Sequence, residues 1–377
     1  MLIVAAVVAI FVYGMIAAML GTILPDLSSR FELTPRQNGT IAFAQALGLM
    51  LASLGVGPLL DDYGKKAGLI LGLALIALAL YWLPRSKGYR SVVLLLFVLG
   101  AGGGIVVTGA NALTSDVGEA HRAIALNLVN LFFGLGGLAT PFISANLFKR
   151  NWVRLCYTVA GLTLVVLAIQ AAAPMPGPTG AGKFIFADAG PVLGRGLLFL
   201  VGFFLFLYVG CEVGVWNWLV RHLIAQGVPE GRALNILSLG FALGILVGRV
   251  GVVPVLAHAT AADVTLGASC AMAVTTFLML RVHSARGAAA LVFLAGLSMA
   301  PVYPTALAIV ANNFPQMTST ALGIVITFGW AGLAVSSRVI GGIAGGDATR
   351  LRKALLVIPA SAVLMIGLNL AMMAALR

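Results

Sequence analysis

Acid is scarce in this sequence. Its 377 residues include eleven Asp and Glu, and all charged types together make up 9% of the chain. Soluble globular chains carry about 25%, so no water-facing surface can enclose most of this protein. Cysteine is scarce as well. Cys156, Cys211 and Cys270 each fall in an apolar run without metal-ligand spacing, which leaves them as small core residues and excludes a disulfide framework. The four His are scattered, so no metal site is expected. Strand-like alternation is absent too. What is present is hydrophobic: 61% of residues, with mean hydropathy +1.07. The apolar runs are about 18–25 residues long, the length a helix needs to cross the hydrocarbon core. The expectation is an all-α integral membrane protein.

Apolar runs between turn-forming residues predict twelve spans, at roughly 2–24, 38–60, 67–84, 91–113, 123–145, 154–173, 192–219, 233–251, 263–281, 287–311, 319–344 and 353–376. The first has no charged start and no clear cleavage site, so it reads as a span rather than a signal peptide. A Pro- and Gly-rich connection follows the sixth span. It divides the chain into an N-terminal six-helix bundle (1–173), a linker (174–191) and a C-terminal six-helix bundle (192–377). The halves echo each other. "LLLFVLGAGGGIVVTGANAL" in span 4 matches "ALVFLAGLSMAPVYPTALAI" in span 10, and spans 2 and 8 correspond in the same way. Such pseudo-symmetric halves imply a solute site near the midplane and rocking of one half against the other.

The linker holds a false lead. "PGPTGAGKF" satisfies G-x-x-x-x-G-K from Gly177 to Lys183, but Phe184 replaces the final Ser or Thr. A phosphate loop needs a strand before it and a hydroxyl for Mg²⁺. Here a membrane helix precedes it, so no nucleotide is expected. The net charge of +12 sits in short connections, where it suits lipid headgroups rather than nucleic acid. Asp116, Glu119 and His121 lie together in a loop without a nucleophile at matching depth. No catalytic residues are assigned, and the chain is not expected to be an enzyme.

"GPLLDDYGKKAG", Gly57 to Gly68, joins spans 2 and 3. It resembles the G-x-L-a-D-r-x-G-r-k signature of major facilitator superfamily transporters. Gly57, Leu59, Asp61, Gly64, Lys65 and Lys66 match, while Asp62 stands where a basic residue is usual. The resemblance implies the major facilitator fold, a monomer by family default, and a latch for one conformation formed by Gly57, Asp61, Asp62, Gly64, Lys65 and Lys66. "GRVG" at 248–251 resembles a degenerate counterpart, with Arg249 as its basic member. "GANALTSD" (109–116), "ALNLVNLFFGLGGLATPFI" (125–143), "LYVGCEVGVWNWLV" (207–220) and "APVYPTALAI" (300–309) are similar to the fucose and glucose/galactose permease branch. That narrower resemblance implies a sugar-like solute and a coupled H⁺ or Na⁺, with no other cofactor. One departure matters. Where the fucose-type symporters carry coupling carboxylates in spans 1 and 4, this chain has Gly21 and Val107.

Ionisable groups at membrane depth are costly and are functional candidates by default. Glu212, between Gly210 and Gly214, is the one acidic residue well inside a predicted span. It reads as a substrate or coupling group, or else as a structural carboxylate paired across helices. Arg338 in span 11 would pair with Glu212, anchor a carboxylate substrate, or snorkel to the interface. Sugars call for amides and aromatic rings. The chain offers Gln45, Asn111, Asn127, Asn130, Trp216, Asn217, Tyr303 and Trp330, with Trp218 beside them. Asn127 and Asn130 are three apart and share a helix face. The leading expectation is a carrier of a sugar-like polar solute by alternating access. The alternatives are a carrier of small organic anions using Arg338 and an exporter of amphipathic compounds.

The resemblance expects a multi-pass protein of the plasma (inner) membrane with both termini cytoplasmic. On that topology fifteen Lys and Arg fall at outside connections and seven inside, with Arg338 in a span completing the twenty-three. The positive-inside rule prefers the opposite orientation.

Overall fold

The computed structural model describes residues 2–175, 177–178, 190–282, 284–345 and 348–377. Apart from Gly177 and Pro178, the near-phosphate-loop stretch lies outside the described residues. Among them, twelve helices are long and apolar enough to cross a membrane. In chain order they are α1 (Leu2–Arg30), α2 (Pro35–Tyr63), α3 (Lys65–Arg85), α4 (Tyr89–Val117), α5 (Glu119–Leu147) and α6 (Trp152–Ala172). The second six are α7 (Gly196–Ala225), α8 (Glu230–Leu256), α9 (Ala261–Met279), α10 (Ala285–Asn313), α11 (Pro315–Ala344) and α12 (Arg350–Ala375).

All twelve expected spans are present, and most run beyond their apolar stretch. α1 continues through Pro25 to Arg30. Apolar runs measure the hydrocarbon core, whereas a helix ends only where its terminal groups find other partners. Those partners are local. The Thr34 hydroxyl accepts from the Gln37 N–H at 3.3 Å while the Thr34 N–H donates to Gln37 Oε1 at 2.8 Å, with Pro35 opening α2. Thr260 and Asp263 repeat the box at the start of α9. Gly64, with φ +87°, breaks α2 from α3 in a conformation that glycine adopts without strain.

The chain groups into two compact units. The first comprises Met1–Ala125, Val129–Val192 and Phe314–Thr327; the second comprises Leu126–Leu128, Leu193–Asn313 and Phe328–Arg377. The main division, at 192/193, falls close to the end of the expected linker. The first part of α11 groups with the first unit, and a short piece of α5 with the second.

Each unit uses the same device to bring helices close. In the first, a Cβ at Gly48 on α2 would fall on the Phe97 carbonyl oxygen of α4, and one at Gly100 on the Gln45 carbonyl oxygen. In the second, Gly244 on α8 and Gly296 on α10 stand in the same relation to Phe293 and Phe241. Small residues let two membrane helices touch backbone to backbone, where packing, not water, drives association. The duplication read from spans 2 and 4 against 8 and 10 is thus a duplication of packing.

Candidate functional site

The 57–68 turn is tied down by charge. Asp61 is 3% exposed, and its carboxylate accepts from the N–H groups of Ser319 (3.1 Å) and Thr320 (2.9 Å) and from the Thr320 hydroxyl (2.7 Å). These donors open the first α-helical turn of α11, where unsatisfied N–H groups and the helix dipole favour an anion. Gly57 makes the approach feasible. A Cβ there would lie 2.5 Å from Thr320 Cα and 2.7 Å from the Ser319 oxygen. Lys65, 1% exposed, pairs with Asp116 at 2.8 Å. The ammonium of Lys66 donates to the Ala173 carbonyl at the end of α6 at 3.1 Å. Asp62, the departure from the signature, holds a buried Oδ2 without a hydrogen bond among the described residues. Asp116 therefore does structural work with Lys65, and nothing in its loop sequence announced that partner.

The amides are buried and paired. Asn130 donates to Asn111 Oδ1 at 2.8 Å, and Asn111 donates to the Val107 carbonyl at 2.7 Å, all within the first unit. Asn127 donates to the Thr305 hydroxyl at 3.1 Å within the second. Gln45 is buried on α2. Gly21, where the resemblance looks for a carboxylate, instead lines an open cavity of about 510 Å³ with Leu24, Pro25, Ser28, Ser29 and Asn38.

In the second unit, Trp216 sets its ring edge-to-face on Phe241 at 5.3 Å. Asn217 donates to the Ser337 hydroxyl at 2.8 Å, a bond between α7 and α11. The indole N–H groups of Trp218 and Trp330 and the hydroxyl of Tyr303 are buried without hydrogen-bond partners among the described residues. Such groups are costly to leave unmade, and an arriving solute with hydroxyl groups can satisfy them.

The two candidate arginines of the C-terminal half differ in exposure. Arg338 is an exposed residue of α11, and among the described residues no ion pair joins it to Glu212. Arg249, the basic member of the 248–251 counterpart, is 4% exposed inside α8. α8 carries a π-helical stretch at Ile236–Ala242, which shifts the phase of every residue after it.

Comparison with known proteins follows the same lines. The glucose/galactose transporter of Brucella abortus biovar 1 (strain 9-941) is 28% identical over 259 residues, covering 63% of this chain and 63% of that protein. The match thus spans less than two thirds of that relative's length. The glucose/mannose transporter GlcP of Bacillus subtilis (strain 168) is 24% identical over 374 residues, 95% of this chain and 91% of that one. The crystal structure of FucP in the outward conformation superposes with a TM-score of 0.86 at 20% identity, covering 98% of each chain. The description of the Major Facilitator Superfamily matches residues 6–337. With its twelve helices and its motif between α2 and α3, the chain belongs to the Major Facilitator Superfamily.

Proposed function

We propose that this protein is a membrane carrier that moves a sugar-like polar solute by alternating access. The observation that carries the reading is the relationship to GlcP, a glucose/mannose transporter, along 95% of the chain. The chemistry agrees with it. Solute hydroxyls find amides in Gln45, Asn111, Asn127 and Asn130, and aromatic or indole groups in Trp216, Tyr303 and Trp330. Asn217, already bonded to Ser337, supports α7 first and touches solute second. The six-helix halves, 1–173 and 192–377, are the moving bodies of this reading, and 174–191 is their cytoplasmic connector.

The test is uptake into proteoliposomes of D-glucose, D-galactose, L-fucose and a monocarboxylate panel, with and without pH and sodium gradients. Saturable hexose uptake is expected. Monocarboxylate flux without sugar flux, lost in Arg338→Gln, would establish the organic-anion reading instead.

Trp330 offers a sharper probe. Trp330→Phe keeps an aromatic ring and removes the indole N–H, which has no hydrogen-bond partner among the described residues. A hydrogen bond of this kind contributes about 0.5–1.5 kcal/mol, so the KM for the transported hexose should rise roughly 2- to 10-fold. The melting temperature without solute should hold or rise, because a buried unsatisfied donor is gone. An unchanged KM removes Trp330 from the solute contacts.

Orientation is tested separately. We place both termini in the cytoplasm, with the α3–α4 turn outside and the α8–α9 turn inside. Lys87 and His258 are exposed in those two turns. In a background lacking Cys270, Lys87→Cys should react with a membrane-impermeant maleimide on intact cells, and His258→Cys should react only after lysis. The reverse pattern would mean that the Lys and Arg distribution, not the motif, reports the topology.

A further inference from the structure

The α1–α2, α3–α4 and α5–α6 turns share one end of the first unit, and every Lys and Arg in or beside them is exposed. Asp26 and Glu32 are the acids of that end, and among the described residues no ion pair joins either to these bases. Two of the arginines are held in place. Arg30 Nη1 donates to the Pro84 carbonyl at 2.9 Å, and its guanidinium lies 5.1 Å from the Phe31 ring centre and 5.5 Å from that of Trp152 at the start of α6. Arg85, the residue after Pro84, donates from Nη1 to the Tyr81 carbonyl at 2.7 Å. Its guanidinium sits 3.9 Å from the Tyr81 ring centre and 5.0 Å from that of Tyr157 on α6. Arg154 stands one turn before Tyr157 and shares its face. The ends of α1 and α3 and the start of α6 therefore meet at a corner built around fixed guanidinium groups.

A guanidinium has five N–H donors in a rigid fork that matches phosphate oxygens two at a time. Arg30 and Arg85 each use one on a carbonyl, which leaves donors for an anion. The surface beside Arg85 says what kind of anion. α3 exposes Leu71, Ala74, Leu78, Tyr81, Trp82 and Arg85, a stripe spaced by three or four residues that runs from aliphatic side chains to two aromatic rings and then to a cation. α6 packs beside it. Tyr and Trp mark the headgroup level of a bilayer, so the arginines stand at phosphate depth and the stripe descends among acyl chains. From these placements we propose that this corner of the first unit holds an anionic phospholipid, its phosphate on Arg85 and Arg30 and an acyl chain along the exposed stripe of α3. A zwitterionic lipid brings its own cation, which the surrounding bases repel, whereas an anionic headgroup neutralises them. A free phosphate would use the arginines and leave the stripe without a role. In the topology proposed above this is the outer end of the unit, so its excess of Lys and Arg serves a ligand there. The inference holds whichever solute is carried.

The test uses the purified full-length protein in phosphatidylcholine vesicles that contain a rising fraction of phosphatidylglycerol with brominated acyl chains, which quench nearby indoles. Brominated phosphatidylglycerol should quench tryptophan fluorescence at a lower fraction than brominated phosphatidylcholine does. Trp82→Phe should remove most of that difference, because Trp82 is half-exposed on the stripe. An arginine at an anionic surface contributes about fivefold to association. Arg85→Gln should therefore raise the phosphatidylglycerol fraction at half-quenching about fivefold, and Arg30→Gln combined with it about 25-fold. Arg36→Gln removes an equally exposed charge from the same end, away from the corner, and should leave the fraction unchanged. Arg85→Lys keeps the charge without the planar fork and should fall between wild type and Arg85→Gln. It supplies the measurement if the Gln variants are not monodisperse. Equal quenching by the two brominated lipids overturns the proposal. So does an Arg36→Gln effect as large as that of Arg85→Gln, which would mean diffuse attraction without a site. Loss of the difference on adding inorganic phosphate at constant ionic strength would mean a phosphate pocket and would overturn the lipid assignment. None of these readouts involves sugar flux, so failure here and failure of the sugar reading are separate results.

Discussion

Asp61→Asn should lower the initial rate of solute uptake by about 30- to 100-fold while the protein still folds. The wild-type carboxylate takes three hydrogen bonds, from the Ser319 and Thr320 N–H groups and the Thr320 hydroxyl, in a site 3% exposed. Asparagine has the same shape but one acceptor oxygen and no charge, so at least one donor loses its partner. Removing a charge from a helix N-terminus is worth about 0.3–1 kcal/mol, and up to about 2 when partly buried. A hydrogen bond to a charged group adds about 1.5–3 kcal/mol. Together they approach 2–3 kcal/mol, and each 1.4 kcal/mol is tenfold in a population. An alternating carrier must both make and break the contact between α2 and the start of α11, so weakening it empties the state that contains it.

Gly57→Ala provides the control. It leaves the charge in place and pushes the same two backbones apart, because the added Cβ would lie 2.5 Å from Thr320 Cα. Both variants should lose uptake, whereas an electrostatic effect unconnected with this contact would spare Gly57→Ala. Uptake in Asp61→Asn within threefold of wild type would mean that the contact does not govern the cycle.

What was legible in the sequence is what the bilayer dictates locally. Span number followed from run length, and the 57–68 turn from spacing that falls between two predicted spans. The partners of that turn were not legible, since Ser319 and Thr320 lie more than 250 residues from Asp61 and carry no local mark. Asp116 looked like part of a polar loop because its pairing with Lys65 depends on how α4 ends beside α3. Glu212 stood out as an acid among apolar residues, and pairing with Arg338 was one of three readings; among the described residues no ion pair joins the two. What depth along a span could not tell is exposure: Arg338 is exposed on α11, whereas Arg249 is buried on α8.

The largest effect on the fold itself is expected from Gly100→Val and Gly296→Val. At each position the added Cβ would fall on a backbone carbonyl oxygen, that of Gln45 or of Phe241, and no rotamer change of the neighbour relieves such a clash. The helices must separate instead, and separation spreads along the interface because Gly48 and Gly104 in the first unit, and Gly244 and Gly248 in the second, make approaches of the same kind. Overpacking costs about 1–3 kcal/mol where a core can adjust and more where it cannot. Against a total stability of about 5–15 kcal/mol, a loss at or above the top of that range should cut the yield of monodisperse detergent-solubilised protein several-fold and lower its melting temperature. Gly161→Val is the matched control, since a Cβ there meets nothing within 4 Å, and it should purify like wild type. The comparison between the two damaging variants carries the argument. If the halves owe their likeness to a shared packing device, Gly100→Val and Gly296→Val should be equally harmful in chromatography and thermal melts. A tolerated Gly296→Val beside a lethal Gly100→Val would mean that the second half is held by other contacts, and that its glycines are inherited rather than required.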